Sequence, residues 1–344
     1  MSQSVLPPDV SPALAEQDVL ERVKRLGGFV RHRLTDDWTG PGTLETVCHY
    51  AVSAPGKFFR PILLLESASA VGCDIDRVLP AAAGTEGAHV ASLMHDDIID
   101  GDTVRRGLPA VHVRFGRDDA IVGGDALIFY LFGALAACGP LGVPDYRIVA
   151  AMAEAARAGT DLCRGQLLEE EIRSGFDCRI SSYLTMIQGK TGALFRASCA
   201  IGGILGGGSD DEVVALGDYG ILLGYAFQIS DDLLPYVSSA EQTGKPRSSD
   251  LANGRLTLPF LLCRESADPA RRRELDELMT GAGDVDARFE RLRALLDHSG
   301  ALAAATQTAC RYADEAVAAL GVLPPSASRD SLAYFAQSAA RRVR

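Results

Sequence analysis

The sequence predicts an all-α protein, and three observations carry that expectation. Apolar residues recur at helical spacing along nearly the whole chain. Runs of β-branched residues with period-two alternation are sparse. Aromatics make up only 6% of the 344 residues while Ala and Gly are plentiful, which suits helices packed through small side chains. The periodicity places helices roughly at 12–33, 43–53, 57–71, 76–100, 117–137, 145–173, 179–188, 190–205, 210–234, 257–264, 270–280, 286–297, 300–319 and 327–341. Turn-rich stretches punctuate them: TGPG at 39–42, GLP at 107–109, CGPLGVPD at 138–145, GGGSDD at 206–211, TGKPRSSDLANG at 243–254 and PP at 324–325. None is long enough to be a flexible linker, and no solenoid-type repeat is present. One all-α domain over 1–344 is expected, with 1–11 as a flexible tail.

Hydrophobic residues at 47% and charged residues at 23% fall in the globular range. The formal net charge of -11 gives the chain no overall attraction for phosphate backbones or anionic membranes, so nucleic acid is not an expected partner. A phosphorylated ligand would have to be held by local cations or metal ions. The eight cysteines are scattered without metal-ligand spacing, which reads as reduced cytoplasmic cysteine. MSQSVLPPDVSP lacks the basic-then-apolar order of a signal peptide. The most apolar stretch, 120–138, is interrupted by Asp125 and is expected to be a buried helix rather than a transmembrane segment.

Two acidic segments stand out, HDDIID at 95–100 and FQISDDLLPY at 227–236. On a helix Asp96 and Asp100 share one face, with Asp97 to one side. Such carboxylates repel unless cations relieve them, and Mg²⁺ takes hard oxygen ligands and bridges carboxylates to phosphates. A lone DDxxD is more simply a solvated helix face. The surroundings shift that balance. Arg105 and Arg106 follow at once in DTVRRGLPAVH, Lys57 and Arg60 lie upstream in GKFFRP, and GKTG, GKPRSSDL and GRLTLP come later. Together these point to a site for one or two diphosphates, gripped by metal on one side and by Lys/Arg on the other.

In their order GKFFRP, HDDIIDGDTVRRGLPAVH, GQLLEE, GKTGALF, FQISDDLL and GKPRSSDLANGRLTLP resemble the trans-type (E) polyprenyl diphosphate synthases, over about 56–260. The resemblance implies an isoprenoid-synthase-like helical bundle around a central cavity, acting as a homodimer in the cytoplasm. It implies Mg²⁺, three ions with substrate bound, through Asp96, Asp100 and Asp231, with Asp97 nearby. Arg105, Lys190, Lys245 and Arg255 (where the family often has Lys) would face an allylic diphosphate. Thr191 and Gln228 would present oxygens to the allylic carbocation. Lys57, Arg60, His89 and Arg106 would hold isopentenyl diphosphate (IPP), and the departing diphosphate would take the final proton. His95 is expected to lie behind the metal motif and His112 to pack locally; Glu169, one turn from Gln166 in GQLLEE, either keeps a metal-side or water-bridging role or is a surface charge. The tail ARRVR either closes over the IPP site or ends in solvent.

Read back from Asp96 at helical spacing, Ser92, His89, Ala88 and Thr85 form one stripe flanked by Ala91. No bulky group blocks it for roughly 16 Å. In the resembled family an aromatic just before this motif commonly stops growth, so Ala88, Ala91 and Ser92 imply a product of C20 (geranylgeranyl) or longer. The alternative is that small residues merely permit close helix packing; Phe129, Tyr130 and Phe132 are the candidates to plug the tunnel. Other readings are a class I terpene cyclase, a weakly active partner subunit, and prenyl transfer to an acceptor other than IPP. Pro235 stands where the family's second motif has a third Asp, and is expected to end or kink its helix.

Overall fold

The computed structural model describes residues 16–237 and 247–341. Among them the chain forms helices α1 (Glu16–Asp37), α2 (Thr43–Ser53), α3 (Phe59–Ala70) and α4 (Leu79–Asp100). A two-strand hairpin follows, β1 (Val104–Arg105) with β2 (Leu108–Pro109), then α5 (Val111–Phe115), α6 (Arg117–Ala136) and α7 (Asp145–Gly175). Helix α8 (Ile180–Ile187) runs through one π-helical turn, Gln188–Gly192, into α9 (Ala193–Gly206). Helices α10 (Asp210–Val237), α11 (Ser249–Ala252), α12 (Leu258–Ser266), α13 (Pro269–Thr280), α14 (Val285–His298), α15 (Ala301–Ala319) and α16 (Ala327–Arg341) complete the chain.

The expected all-α class holds, and the differences are local. The predicted break between 188 and 190 is absent: a widened turn carries the helix through GKTG. The expected stop at Pro235 is also corrected, because α10 continues to Val237. Proline removes one N–H from the ladder, but three features hold this turn. Arg247 Nε donates to the carbonyl of Pro235 at 2.7 Å, Tyr236 is buried, and its ring stacks on Phe289 at 5.3 Å. Other ends follow sequence chemistry. Asp268 and Asp284 accept from the first backbone N–H groups of α13 and α14. Gly101, at φ 69°, stops α4 directly after Asp100.

Helices α3, α9 and α10 form the centre, with α15 along α10 and α16 across α3 and α10. Helix α4 packs on α6, α3 and α1, while α7 packs on α9 and the π-turn. Helices α4 and α7 have little direct packing between them, and that leaves a cleft. Near the N-terminal side, Arg22 holds the fully buried Glu66 at 2.7 and 2.8 Å and also donates to Ser328 at 2.9 Å, tying α1 to α3 and α16.

Among the described residues two helices, Arg117–Ala136 and Asp210–Val237, are long and apolar enough to cross a membrane. Asp125 does not interrupt α6, which extends over 20 residues. Leu127 and Leu135 of α6, and Leu216 and Leu233 of α10, are buried against neighbouring helices.

Candidate active site

The cleft has a volume of about 310 Å³ and brings together Asp96, Asp100, Arg105, Glu169, Lys190, Thr191, Gln228, Asp231, Asp232, Asp250 and Arg255. Its apolar floor includes Ile172, Met186 and Leu256. Both acidic segments thus face one space, from the C-terminal ends of α4 and α10. A helix C-terminus carries partial negative charge, so carboxylates clustered there increase the demand for cations. A larger hollow of about 730 Å³ opens behind the π-turn beside Arg157, Arg196 and Ile221, and contains none of the expected site residues.

The π-turn sits hard against α7. A Cβ on Gly165 would meet the backbone N of Lys190 at 2.2 Å, and one on Gly189 would meet the carbonyl of Asp161 at 2.7 Å. Only glycines permit that approach, and it presents Lys190 and Thr191 to the cleft. Lys190 Nζ donates to Glu169 at 2.5 Å, which gives Glu169 a place in the cleft. Arg255 reaches Asp100 at 2.7 Å, Asp250 at 3.5 Å and Glu169 at 3.8 Å. Burial raises the Asp96 carboxyl above the usual range, with Lys190 opposing and Asp100 and Glu169 adding to the rise.

The arginine pair is split by turn geometry. Val104 pairs with Pro109 and Arg105 with Leu108, so Arg106 and Gly107 form a two-residue loop with φ 54° and 80°. Positive φ at an arginine is strained, as functional positions often are. Arg105 turns to Asp97, donating from Nε at 2.7 Å, and also contacts Asp102. The Arg106 guanidinium lies so close to Gly56 that a Cβ there would be 2.7 Å from it.

That second side carries cations: Lys57 and Arg106 are exposed, while Arg60 and His89 are half-buried. Arg60 Nη1 donates to His89 Nε2 at 3.2 Å, and its guanidinium lies 4.6 Å from the Phe195 ring centre. Because arginine can only donate, Nε2 accepts and the imidazole proton is on Nδ1. His89 Nδ1 and Arg60 Nε are both buried without a partner, leaving two unused donors. Burial lowers the His89 pKa well below its ordinary value, with Arg60 and Arg106 contributing, so the ring is neutral. Burial also lowers Arg60, to about 10, against the raising effect of Glu86. Lys57 lies 5.8 Å from the centre of the Phe59 ring.

Several expectations are refined. His95 faces α6, 3.3 Å from the carbonyl of Ile121 and 3.7 Å from Asp125. Asp97 is 2% exposed and is taken by Arg105. Ala91 is fully buried in the packing of α2, α4 and α6. Ser92 is half-buried, its hydroxyl donating to the carbonyl of His89, and Ala88 packs beside the central core. Phe129 is 74% exposed. The Tyr130 hydroxyl donates to Asp37 at 2.6 Å, and Phe132 is half-buried. His112 Nδ1 and Gln166 Oε1 are buried without partners. Lys245 and the tail beyond Arg341 lie outside the described residues.

Sequence reasoning missed Glu86 and Tyr183. Glu86, 2% exposed, lies one turn before His89, a spacing that was available as a signal. Tyr183 donates to Asp232 at 2.7 Å across 49 residues, for which local sequence gives no sign. Burial pushes Asp232 up to about 7, Asp250 adds to the rise, and the bonds from Tyr183 and Gln228 oppose it.

Comparison with known proteins agrees with this geometry. Residues 41–296 match the family model described as polyprenyl synthetase. The chain is 37% identical over 320 residues to the short chain isoprenyl diphosphate synthase of Methanothermobacter thermautotrophicus, covering 93% of this chain and 96% of that protein. The crystal structure of geranylgeranyl pyrophosphate synthetase from Pyrococcus horikoshii superposes with TM-score 0.88 at 31% identity, over 94% of this chain and 98% of that one. The Caulobacter crescentus polyprenyl synthase, solved with calcium and isoprenyl diphosphate, gives 0.85 at 30% identity, over 97% and 100%. With the family model matching most of its length, and a relative 37% identical over 93% of it, the chain belongs to the polyprenyl synthetase family.

Proposed function

We propose that this enzyme condenses an allylic diphosphate with IPP, head to tail, to give an all-trans polyprenyl diphosphate of C20 or longer. One observation carries the reading: a two-residue turn sends Arg105 to the carboxylate-lined cleft and Arg106 to a cationic pocket with two buried, unused donors. Two anionic groups can then be held side by side, one through metal and one through Lys57, Arg60, His89 and Arg106.

Among the described residues, no three His, Cys, Asp or Glu side chains converge as a metal site. Mg²⁺ takes one or two carboxylates and completes its shell with water and substrate phosphate oxygens. Asp96, Asp100 and Asp231 would hold it, as up to three ions with substrate present. When bound, the metal supplies positive charge to the departing diphosphate. Lys190 and Arg255 would add theirs by releasing Glu169 and Asp100, and Lys245 is proposed to join them. Thr191 and Gln228 would face the developing allylic cation with their oxygens. No protein base is required, since the released diphosphate can take the proton. The small side chains of Ala88 and Ser92 would let a growing chain run beside α4, and the Pyrococcus relative is named for a C20 product.

The apolar exposure of Val122, Phe129, Tyr146, Val149 and Leu167 on α6 and α7 supports a homodimer through these helices, with the chain forming one folded unit. The eight free cysteines suit a reducing compartment such as the cytoplasm.

The test is incubation with Mg²⁺, IPP and C5, C10 or C15 allylic diphosphates, followed by product mass. Elongation to C20 or beyond is expected. No elongation from any primer would remove the reading, a cyclic hydrocarbon would favour a cyclase, and a C15 end product would refute the chain-length argument.

A further inference from the structure

Asp232 has no role in the scheme above, although it adjoins Asp231 and is a carboxylate only 7% exposed. Its two oxygens are both engaged. Tyr183, 1% exposed, donates its hydroxyl proton to Oδ2 at 2.7 Å, and Gln228 donates from Nε2 to Oδ1 at 2.9 Å. Gln228 Oε1 then accepts from the Thr191 hydroxyl at 2.7 Å. Four side chains from α8, the π-turn and α10 thus form one directional chain, of which Thr191 and Gln228 are the end facing substrate.

The direction has chemical content. A side-chain amide offers an acceptor at one end and donors at the other, and its orientation follows its neighbours. With Asp232 ionised, the reverse orientation would set Gln228 Oε1 against its carboxylate, acceptor against acceptor. Asp232 therefore dictates that Gln228 turns its oxygen towards Thr191. Thr191 has a single proton and gives it to that oxygen, so towards any other neighbour its hydroxyl presents only lone pairs. A cleft wall of lone pairs favours developing positive charge and needs no rearrangement during reaction.

We infer that Asp232 and Tyr183 are positioning residues that fix the hydrogen-bond polarity of Gln228 and Thr191, so that both turn oxygen lone pairs towards an allylic cation. Asp232 is thus not a metal ligand, even though it sits in an acidic motif. The inference rests on the prenyl-transfer reading.

Asp232→Asn tests it with almost no change of volume. Asparagine can accept from Tyr183, but its NH₂ then opposes the NH₂ of Gln228. The Gln228 amide must turn over, and the Thr191 proton is freed towards the cleft. The expected result in purified enzyme that elongates the primer is kcat lower by about 10- to 100-fold. KM for both substrates and the Mg²⁺ concentration for half-maximal rate should stay within about 3-fold, as should calorimetric binding of a non-reacting thiolo-diphosphate analogue of the allylic substrate with Mg²⁺. Tyr183→Phe, which removes one hydroxyl, should lower kcat by a smaller factor in the same pattern.

Non-additivity is the decisive readout. In a Gln228→Leu background, adding Asp232→Asn should lower kcat no further, because its effect passes through Gln228. Unchanged kcat in Asp232→Asn would overturn the inference. So would an additive loss in the double variant, or a rise of 10-fold or more in the Mg²⁺ requirement, which would make Asp232 a ligand. If Asp232→Asn fails to fold, Tyr183→Phe alone and combined with Gln228→Leu gives the same comparison. Absence of elongation by the wild-type protein would instead remove the parent reading.

Discussion

The ends of α4 and α10 carry the same dipeptide, yet the second Asp of each meets a different fate. Asp97 is buried against a cation, Arg105, which draws it away from the cleft. Asp232 is buried against neutral donors, Tyr183 and Gln228, which offset only part of the cost of burying its charge, and with Asp250 nearby its pKa rises to about 7. Four residues after each pair begins, the contrast repeats. Asp100 is a carboxylate held by Arg255, whereas Pro235 offers only a carbonyl, held by Arg247. Sequence adjacency therefore does not assign a role. The charge of the partner does, and the partner comes from elsewhere in the fold.

The comparison breaks most visibly at the first Asp of α4. Asp96→Ala should lower turnover by about 10³-fold, as removal of a charge-stabilising group in an active site does. Its thermal midpoint should change little, because burial already disfavours this carboxylate. Global unfolding of the variant would show a structural role instead.

Its neighbour should behave in the opposite way. Asp97→Ala leaves Arg105 without its main partner, 25% exposed and still near Asp102. A loss of about 2 kcal/mol is expected in denaturant unfolding, below the range for fully buried pairs because of that residual exposure. Unchanged stability would erase the distinction between Asp96 and Asp97.

The two arginines at the third positions come next. Arg255→Ala should raise the allylic KM by about 10-fold, since a charge-assisted contact to diphosphate is lost. Arg247→Ala should leave that KM alone and cost about 1 kcal/mol, from the Pro235 carbonyl and the Phe289 ring 5.2 Å from its guanidinium. Identical kinetics for both variants would mean the two ends do the same work.

Pro235→Asp, the smallest effect, restores the missing carboxylate. The Mg²⁺ concentration for half-maximal rate should fall by about 2-fold, as expected for a group acting through water rather than by direct ligation. An unchanged Mg²⁺ curve would show the position to be idle.

Much of this was present in the chain itself. Helices that bury one face must repeat apolar residues at helical spacing, so the all-α class could be read without coordinates. The pairing of Asp96 with Asp100 on one face, and the spacing from Thr191 to the glycines around it, are likewise local. Three things required the fold. Helix α10 passes through Pro235 because Arg247 and Phe289 hold it, 12 and 54 residues away. Arg105 and Arg106 part company because a two-residue turn forces them to. Asp232 is held by a tyrosine on another helix. The sequence determined which helices form and which charges they carry, because those depend on neighbours within a turn. Tertiary structure decided which charges meet, because a contact across 155 residues, such as Arg255 with Asp100, exists only after the helices have packed.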